Sequence, residues 1–273
     1  MQPLLNDECF KPLMQRMIFL RRDFMVDTNS HLGEITKNNK GTEMKIIAYR
    51  KWEDIDVEFL DEHHYIFEHA TYGNFKRGQV KSPFDRSVAN VGYTGIGEFK
   101  TSIKKIHTVE YSIWKQMILR CYFLDDNNSY PVYYGISEVC EEWHNFQNFA
   151  KWYTSNSYNI GKERLHLDKD IKYYGNKIYS PYHCILVPQS INEQFKECYH
   201  FGQTNNNLPY TVRSTNNGKY ESYHRGISLG TFNTIDEACE AYVLSKKTYI
   251  NELVNRYKNM PTYVKKIILD AKI

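Results

Sequence analysis

The chain has 273 residues, room for two or three small domains if one domain takes roughly 100–150 residues. An apolar fraction of 41% and a charged fraction of 25% describe an ordinary globular protein and exclude disorder as its main state. The net charge of +3 permits a nucleic-acid partner without requiring one, so that case must rest on local charge.

No run approaches the roughly eighteen apolar residues of a membrane span, and no membrane partner is expected. Residues 1–20 contain LMQRMIFL, but Arg16 breaks the block and no small-residue cleavage site follows, so it is not read as a signal peptide. Cys9, Cys121, Cys140, Cys184, Cys198 and Cys239 show no CxxC pair. Buried thiols in a reducing, cytoplasmic setting are expected, with a structural zinc on Cys121, Cys140, Cys184 and a nearby His as the less favoured alternative.

Residues 1–43 lack a clear pattern beyond about residue 25 and read as a polar, turn-rich arm. Residues 44–105 read as a small β-rich module. Ile55, Val57 and Phe59 alternate with polar residues in a half-buried strand, and Gly73, Gly78, Pro83, Gly92, Gly95 and Gly97 mark turns. Lys76, Arg77, Lys81 and Arg86 lie among Tyr72, Phe75 and Phe84. Such interleaving suits a surface that tracks phosphates, and equally a solvated loop face. His63-His64 follows FLDE in a turn with no partner Asn or His at hairpin distance, and is set aside.

TVEYSIWKQMILRCYFL reads as a helix with Trp114, Met117, Ile118 and Cys121 on one stripe, and DDNNSYP as a loop. EVCEEWHNFQNFAKWYTSN predicts a second helix whose Trp143, Phe146, Phe149, Ala150 and Tyr153 are core. Residues 165–188, LHLDKDIKYYGNKIYSPYHCILVP, predict a hairpin. Its first strand puts His166, Asp168 and Asp170 on one face, Gly175-Asn176 turns the chain, and the return passes His183. SINEQFKECYHF then forms a short helix. In a hairpin followed directly by a helix, strands about 5 Å apart can offer neighbouring ligands to one ion.

After the hinge FGQTNNN, three short strands follow in LPYTVRST, GKYESYHRG and ISLGTF, with Asn217-Gly218 at the first turn. Thr234 and Glu237 form a capping box for a helix through Ala238, Ala241, Tyr242, Tyr249 and Leu253. Three strands and a helix read as a self-sufficient domain, ending in a basic helical tail with Lys265 and Lys266.

TVRSTNNGKYESY followed by SLGTFNTIDEACEAY resembles the AP2/ERF DNA-binding domain over about residues 208–258. The resemblance implies a three-stranded sheet in the DNA major groove, with Arg213, Lys219, Tyr220 and Arg225 at the matching strand positions. Pro209-Tyr210-Thr211 replaces the family's Tyr-Arg-Gly opening, which removes one basic contact. Strand alternation independently lets the sheet aim Arg213 and Lys219 away from the helix, where arginine reads guanine edges and lysine fixes phosphate.

Residues 111–195 resemble phage-type HNH endonucleases that carry AP2 domains, through YSIWKQMILRCY, YYGISEVCEEWHNFQNF and LDKDI…GNKIYSPYHCILVP…IN. In that family a histidine activates water, a polar residue steadies the core, and a helix-side His or Asn completes the shell of a divalent ion. Carried over, Asp168 or Asp170 is a metal ligand, Asn176 a loop brace and His183 the closing ligand. The implied cofactor is Mg²⁺ or Mn²⁺, with no small-molecule cofactor. Lys169 stands where the family carries its catalytic imidazole, and an ordinary lysine, protonated at neutral pH, is a poor base. His166 is the nearest substitute.

The fold expected is therefore α+β: a small N-terminal β module, an HNH-like ββα-metal core with flanking helices over 106–200, and an AP2/ERF-like sheet plus helix over 208–273. The function expected is binding of double-stranded DNA, with Arg213, Lys219, Tyr220, Arg225, Lys76 and Arg77 in contact, and metal-dependent hydrolysis of its phosphodiesters. Such a bacteriophage protein would act in the host cytoplasm. The alternatives are a DNA-binding regulator whose HNH scaffold is degenerate, and an interaction protein that applies the sheet to a protein surface. The target site and oligomeric state are not encoded in any motif.

Overall fold

The computed structural model describes residues 31–124, 134–195, 208–209 and 211–272. The first thirty residues of the expected arm, the DDNNSYP loop, the FGQTNNN hinge, Cys9, Cys198 and the end of the SINEQFKECYHF helix lie outside the described residues. The protein is α+β, with several small, mostly antiparallel sheets. It divides into two compact units between Asp85 and Arg86. Residues 86–105, expected in the β module, thus fall in the second unit.

The first unit is a four-stranded antiparallel sheet of β1 (Ile35–Lys37), β2 (Glu43–Lys51), β3 (Asp54–Phe59) and β4 (Ile66–Ala70), in that order, followed by the short helix α1 (Tyr72–Lys76). β1 pairs with β2 through Thr36 and Met44, so the sheet begins inside the expected arm. Alternation decides the buried face: Ile55, Val57 and Phe59 of β3 are fully enclosed, with Met44 and Ile46 of β2 beside them. Asp85 ties the unit's last residues back to the β1–β2 turn. Its carboxylate accepts from Asn38 Nδ2 at 2.9 and 3.0 Å and from the Ser82 amide at 2.8 Å.

The second unit opens with a minimal hairpin, β5 (Ser102–Ile103) and β6 (Ile106–His107), before helix α2 (Val109–Tyr122), capped by Thr108. EVCEEWHNFQNFAKWYTSN does not form one helix. Glu138–Val139 is a strand, β7; Glu141–His144 is a 3-10 turn; and α3 (Phe146–Asn156) starts only after Asn145, whose side chain accepts from the Gln147 amide at 2.9 Å. Two causes make the helix start late: locally, Asn145 is a strong N-cap, and at long range Glu138–Val139 pairs in parallel with β9 (Ile178–Tyr179). The aromatic stripe is core as expected. Trp114, Trp143, Phe146 and Phe149 are fully buried, and Trp114 Nε1 donates to the Trp143 carbonyl at 2.7 Å. Gly92 permits this packing, since a Cβ there would lie 2.8 Å from the Trp114 ring.

β8 (Leu165–Asp168) pairs antiparallel with β10 (Ile185–Pro188), and α4 (Gln189–Phe195) leaves directly from β10. The C-terminal sheet runs β11 (Val212–Ser214), β12 (Tyr220–His224), β13 (Ile227–Phe232) and is backed by α5 (Ile235–Arg256), with α6 (Thr262–Asp270) closing the chain. The capping box of Thr234 and Glu237 is formed in both directions. The last turns of α5 do more than back their own sheet. Ile250, Leu253 and Val254, with Val264 and Ile268 of α6, share one core with Ile185 and Val187 of β10 and Ile191 of α4. The expected self-sufficient C-terminal domain is thus sealed to the β8–β10 hairpin by a shared apolar core. No helix among the described residues is long and apolar enough to cross a membrane.

Candidate functional site

In an antiparallel pair, residues directly opposite project to the same face. The register sets His166 opposite Val187 and Asp168 opposite Ile185. Both polar residues therefore stand on the face that α4 covers, whereas Leu167 packs into the core of α2 and α3. From α4, Asn192 brings its Nδ2 to 3.4 Å from His166 Nδ1. As placed, the amide donates to an unprotonated Nδ1, which leaves the ring proton on Nε2; a half-turn of the amide would exchange these roles.

Asp168 ends β8 and organises the turn after it. Its Oδ1 accepts from the backbone amides of Asp170 and Ile171, both at 2.7 Å. Burial nevertheless pushes its carboxyl above the ordinary carboxylate value, and those two amides offset the shift only in part. Asp170 points elsewhere: Lys169 Nζ donates to both of its oxygens at 2.8 Å and to the Asn176 carbonyl at 2.7 Å. Asn176 is the expected brace. Its Nδ2 donates to the carbonyls of Lys169 and Ile178, while its Oδ1 accepts from the Ile178 amide. His183 Nδ1 lies 2.7 Å from Ser180 Oγ, and its ring meets Tyr173 and Tyr182 edge-on. Lys172 lies over both of those tyrosine rings and donates to the Tyr182 carbonyl.

Asp168, Asp170 and His183 are therefore not drawn into one shell. Among the described residues, the only three His, Cys, Asp or Glu side chains within reach of one ion are Asp54, Asp56 and His69 in the first unit. Arg50 occupies that cluster, donating to Asp54 and Asp56 at 2.5–2.9 Å and holding both carboxyls below their ordinary range. Asn192, absent from the residues expected at the site, carries a signal in the sequence as the Asn four residues beyond Pro188 in the helix that follows the hairpin. The thiols of Cys121, Cys140 and Cys184 lie in or against the α2–α3 core. Burial pushes Cys121 up to about 11 and also raises Cys140 and Cys184, and among the described residues these thiols are not grouped with two further ligands within reach of one ion.

On the C-terminal sheet, Val212, Ser222 and His224 are buried, whereas Arg213 is exposed. Arg213 pairs across the strands with Glu221 and lays its guanidinium 4.6 Å from the Tyr223 ring centre. Glu221 shares this face, and its hydrogen bond from Tyr223 is the main cause holding its carboxyl below the ordinary range. Lys219 is exposed in the turn entering β12, whose three-residue loop closes with Gly218 at φ +72. By alternation Tyr220 lies on the face of Ser222 and His224, toward the helix. Arg225 sits in the next turn at φ +52, its guanidinium 3.9 Å from the Tyr249 ring of α5. The outward face thus carries Arg213, Glu221 and Tyr223, with Lys219 at its edge.

In the first unit, Tyr72 and Phe75 are buried and the half-buried Phe84 stacks on His63 at 3.8 Å, so the aromatics expected among the basic residues do not form one open stacking surface. Lys76 Nζ is 2.6 Å from Glu34, and Arg77 bonds Asn74 and Gln79. Comparison with protein-family models, with curated proteins and with solved structures yields no match to this chain.

Proposed function

We propose that the protein binds double-stranded DNA through an AP2/ERF-like C-terminal sheet and hydrolyses a phosphodiester at an HNH-type centre between the β8–β10 hairpin and α4. The observation that carries this reading is the convergence of His166 and Asn192 across that junction, with the half-buried Asp168 on the same face. His166 is the general base, a role that contributes about 10²–10⁴-fold. Asn192 positions it: with its amide turned by half so that Oδ1 accepts the Nδ1 proton, Nε2 is left basic. Asp168 is the cation ligand, with Oδ1 tied to the turn and Oδ2 offered to the ion. One half-buried carboxylate completed by substrate phosphate and water suits Mg²⁺ or Mn²⁺, whereas Asp170, paired with Lys169, and His183, on Ser180, do not fit that shell. A cation bound there would supply charge to the scissile phosphate and the leaving oxygen.

A second reading, a DNA-binding regulator on a retained ββα scaffold, is favoured by the Lys169–Asp170 pair, which closes off one expected ligand. Nicking of supercoiled plasmid with Mg²⁺ or with chelator separates the two. The nuclease reading expects cutting that needs the metal, is lost in Asp168→Ala, and is slowed in His166→Ala with Mn²⁺ affinity kept. Wild-type protein that binds plasmid but never cuts it establishes the regulator.

A further inference from the structure

We propose that the β5–β6 hairpin is a DNA-distorting wedge, which enters the minor groove with Ile103 and Ile106 between base pairs and Lys104 and Lys105 on the flanking phosphates. This rests on duplex DNA being the partner of the protein.

Ile103 and Ile106 are directly opposite in the register, so their side chains stand side by side on one face. They are 60% and 74% exposed and belong to none of the three cores. An exposed apolar pair on a two-rung hairpin does nothing for the fold, and a hairpin this short holds its shape only if anchored. It is anchored at the base. The Thr108 amide donates to the Thr101 carbonyl at 3.1 Å, Thr108 Oγ1 donates to the Lys100 carbonyl at 3.0 Å, and the His107 ring rests 4.8 Å from Tyr111 of α2. The apolar tip is therefore held out on a fixed stem.

The turn is the second observation. Its two central residues, Lys104 and Lys105, have φ of +49° and +67°. Two-residue turns of this kind favour Asn-Gly, because side chains other than glycine resist positive φ. Two lysines at these positions oppose local preference and place two cations beside the isoleucines. No acidic side chain pairs with Lys100, Lys104 or Lys105 among the described residues. Unpaired cations around a small apolar tip are complementary to a duplex, whose phosphates flank an apolar stack. Minor-groove proteins that kink DNA use such wedges, with isoleucine among the residues inserted.

The test uses the full chain and a short duplex that carries dyes at both ends and 2-aminopurine within, with three variants: Ile103→Ser/Ile106→Ser, Lys104→Asn/Lys105→Gly and Arg213→Ala. Wild-type protein should raise end-to-end energy transfer and brighten 2-aminopurine as its step unstacks. The serine pair should abolish both signals with thermal melting unchanged, since neither isoleucine is in a core. The Asn-Gly pair keeps the turn and removes two charges, and should lower the log–log salt slope of binding by about 1.8. If the serine pair bends and unstacks DNA like wild type while Arg213→Ala weakens binding, the wedge is wrong and the DNA reading stands. Wild-type protein with no affinity for duplex overturns both. Binding to phosphatidylserine vesicles that the serine pair loses, with no bending of DNA, assigns the tip to lipid and overturns the wedge.

Discussion

Lys169 Nζ donates to both carboxylate oxygens of Asp170 at 2.8 Å and reaches the Asn176 carbonyl at 2.7 Å. The lysine side chain is 8% exposed and its partner 47%, so the ammonium is enclosed while the carboxylate faces water. Lys169 thus holds the loop closed between Asp170 and Asn176.

Lys169→Ala should destabilise the second unit by about 1–3 kcal/mol, mainly because the Asn176 carbonyl loses its donor and the packing near Tyr179 is lost. Asp170→Asn should cost less, because exposure screens that half of the pair. Urea melts of the two variants rank them. Equal losses would mean that the ion pair, and not the carbonyl bond, holds the loop.

Asp168 makes a prediction about pH. Its folded carboxyl is raised by burial above the ordinary 3.8, so the folded protein binds the extra proton in the window above 3.8. Its contribution to stability is therefore fully present below 3.8 and is lost as pH rises through the raised folded value. Asp168→Asn can still accept from both turn amides and carries no charge. It should match or exceed wild type in thermal stability at neutral pH and remove this part of the pH dependence. Asp168→Ala leaves two amides without their acceptor and should melt lower. A neutral-pH melting point for Asp168→Asn as low as that of Asp168→Ala would show that the charged form is required by the fold.

The two buried tryptophans should respond differently to phenylalanine. Trp114 Nε1 has the Trp143 carbonyl as acceptor, whereas Trp143 Nε1 is buried with no partner. Trp143→Ala should cost about 3–5 kcal/mol as a core truncation. Trp143→Phe should recover more of that loss than Trp114→Phe does, since it discards a donor that was already unsatisfied. Thermal melts of these three variants and of Trp114→Ala check the order, and a tolerated Trp114→Phe would sink the argument.

On the sheet, Arg213→Ala should weaken duplex binding and flatten the log–log salt slope by up to about 0.9 for a lost phosphate contact. Glu221→Gln should strengthen binding, because a carboxylate beside Arg213 repels phosphate. Lys219→Ala should act chiefly on the salt slope, and Arg225→Ala should act least, since its guanidinium is stacked on Tyr249. Anisotropy titrations at several salt concentrations test this order; an Arg225 effect above that of Arg213 would move the interface to the helix side.

Local chemistry made some features legible. Alternation placed Ile55, Val57 and Phe59 in a sheet core, and the Thr234–Glu237 box fixed the start of α5. These need only neighbours within a few residues. The break at Asn145 was less legible, because a helical apolar stripe continues through it, and what ends the helix is pairing of Glu138–Val139 with Ile178–Tyr179, some forty residues on.

Within the hairpin, the sequence by itself determined that His166 and Asp168 share a strand face, since that follows from the two-residue period. It could not determine what covers that face. Only the tertiary structure brought Asn192 to His166 and half-buried Asp168, and only it sealed the hairpin to the far end of α5 through Ile185, Val187, Ile250 and Leu253. It also set Asp170 and His183 apart from Asp168, by giving each its own partner. The physical reason is range: periodicity and caps act over a few residues, whereas burial and long-range hydrogen bonding depend on which elements the whole chain packs together.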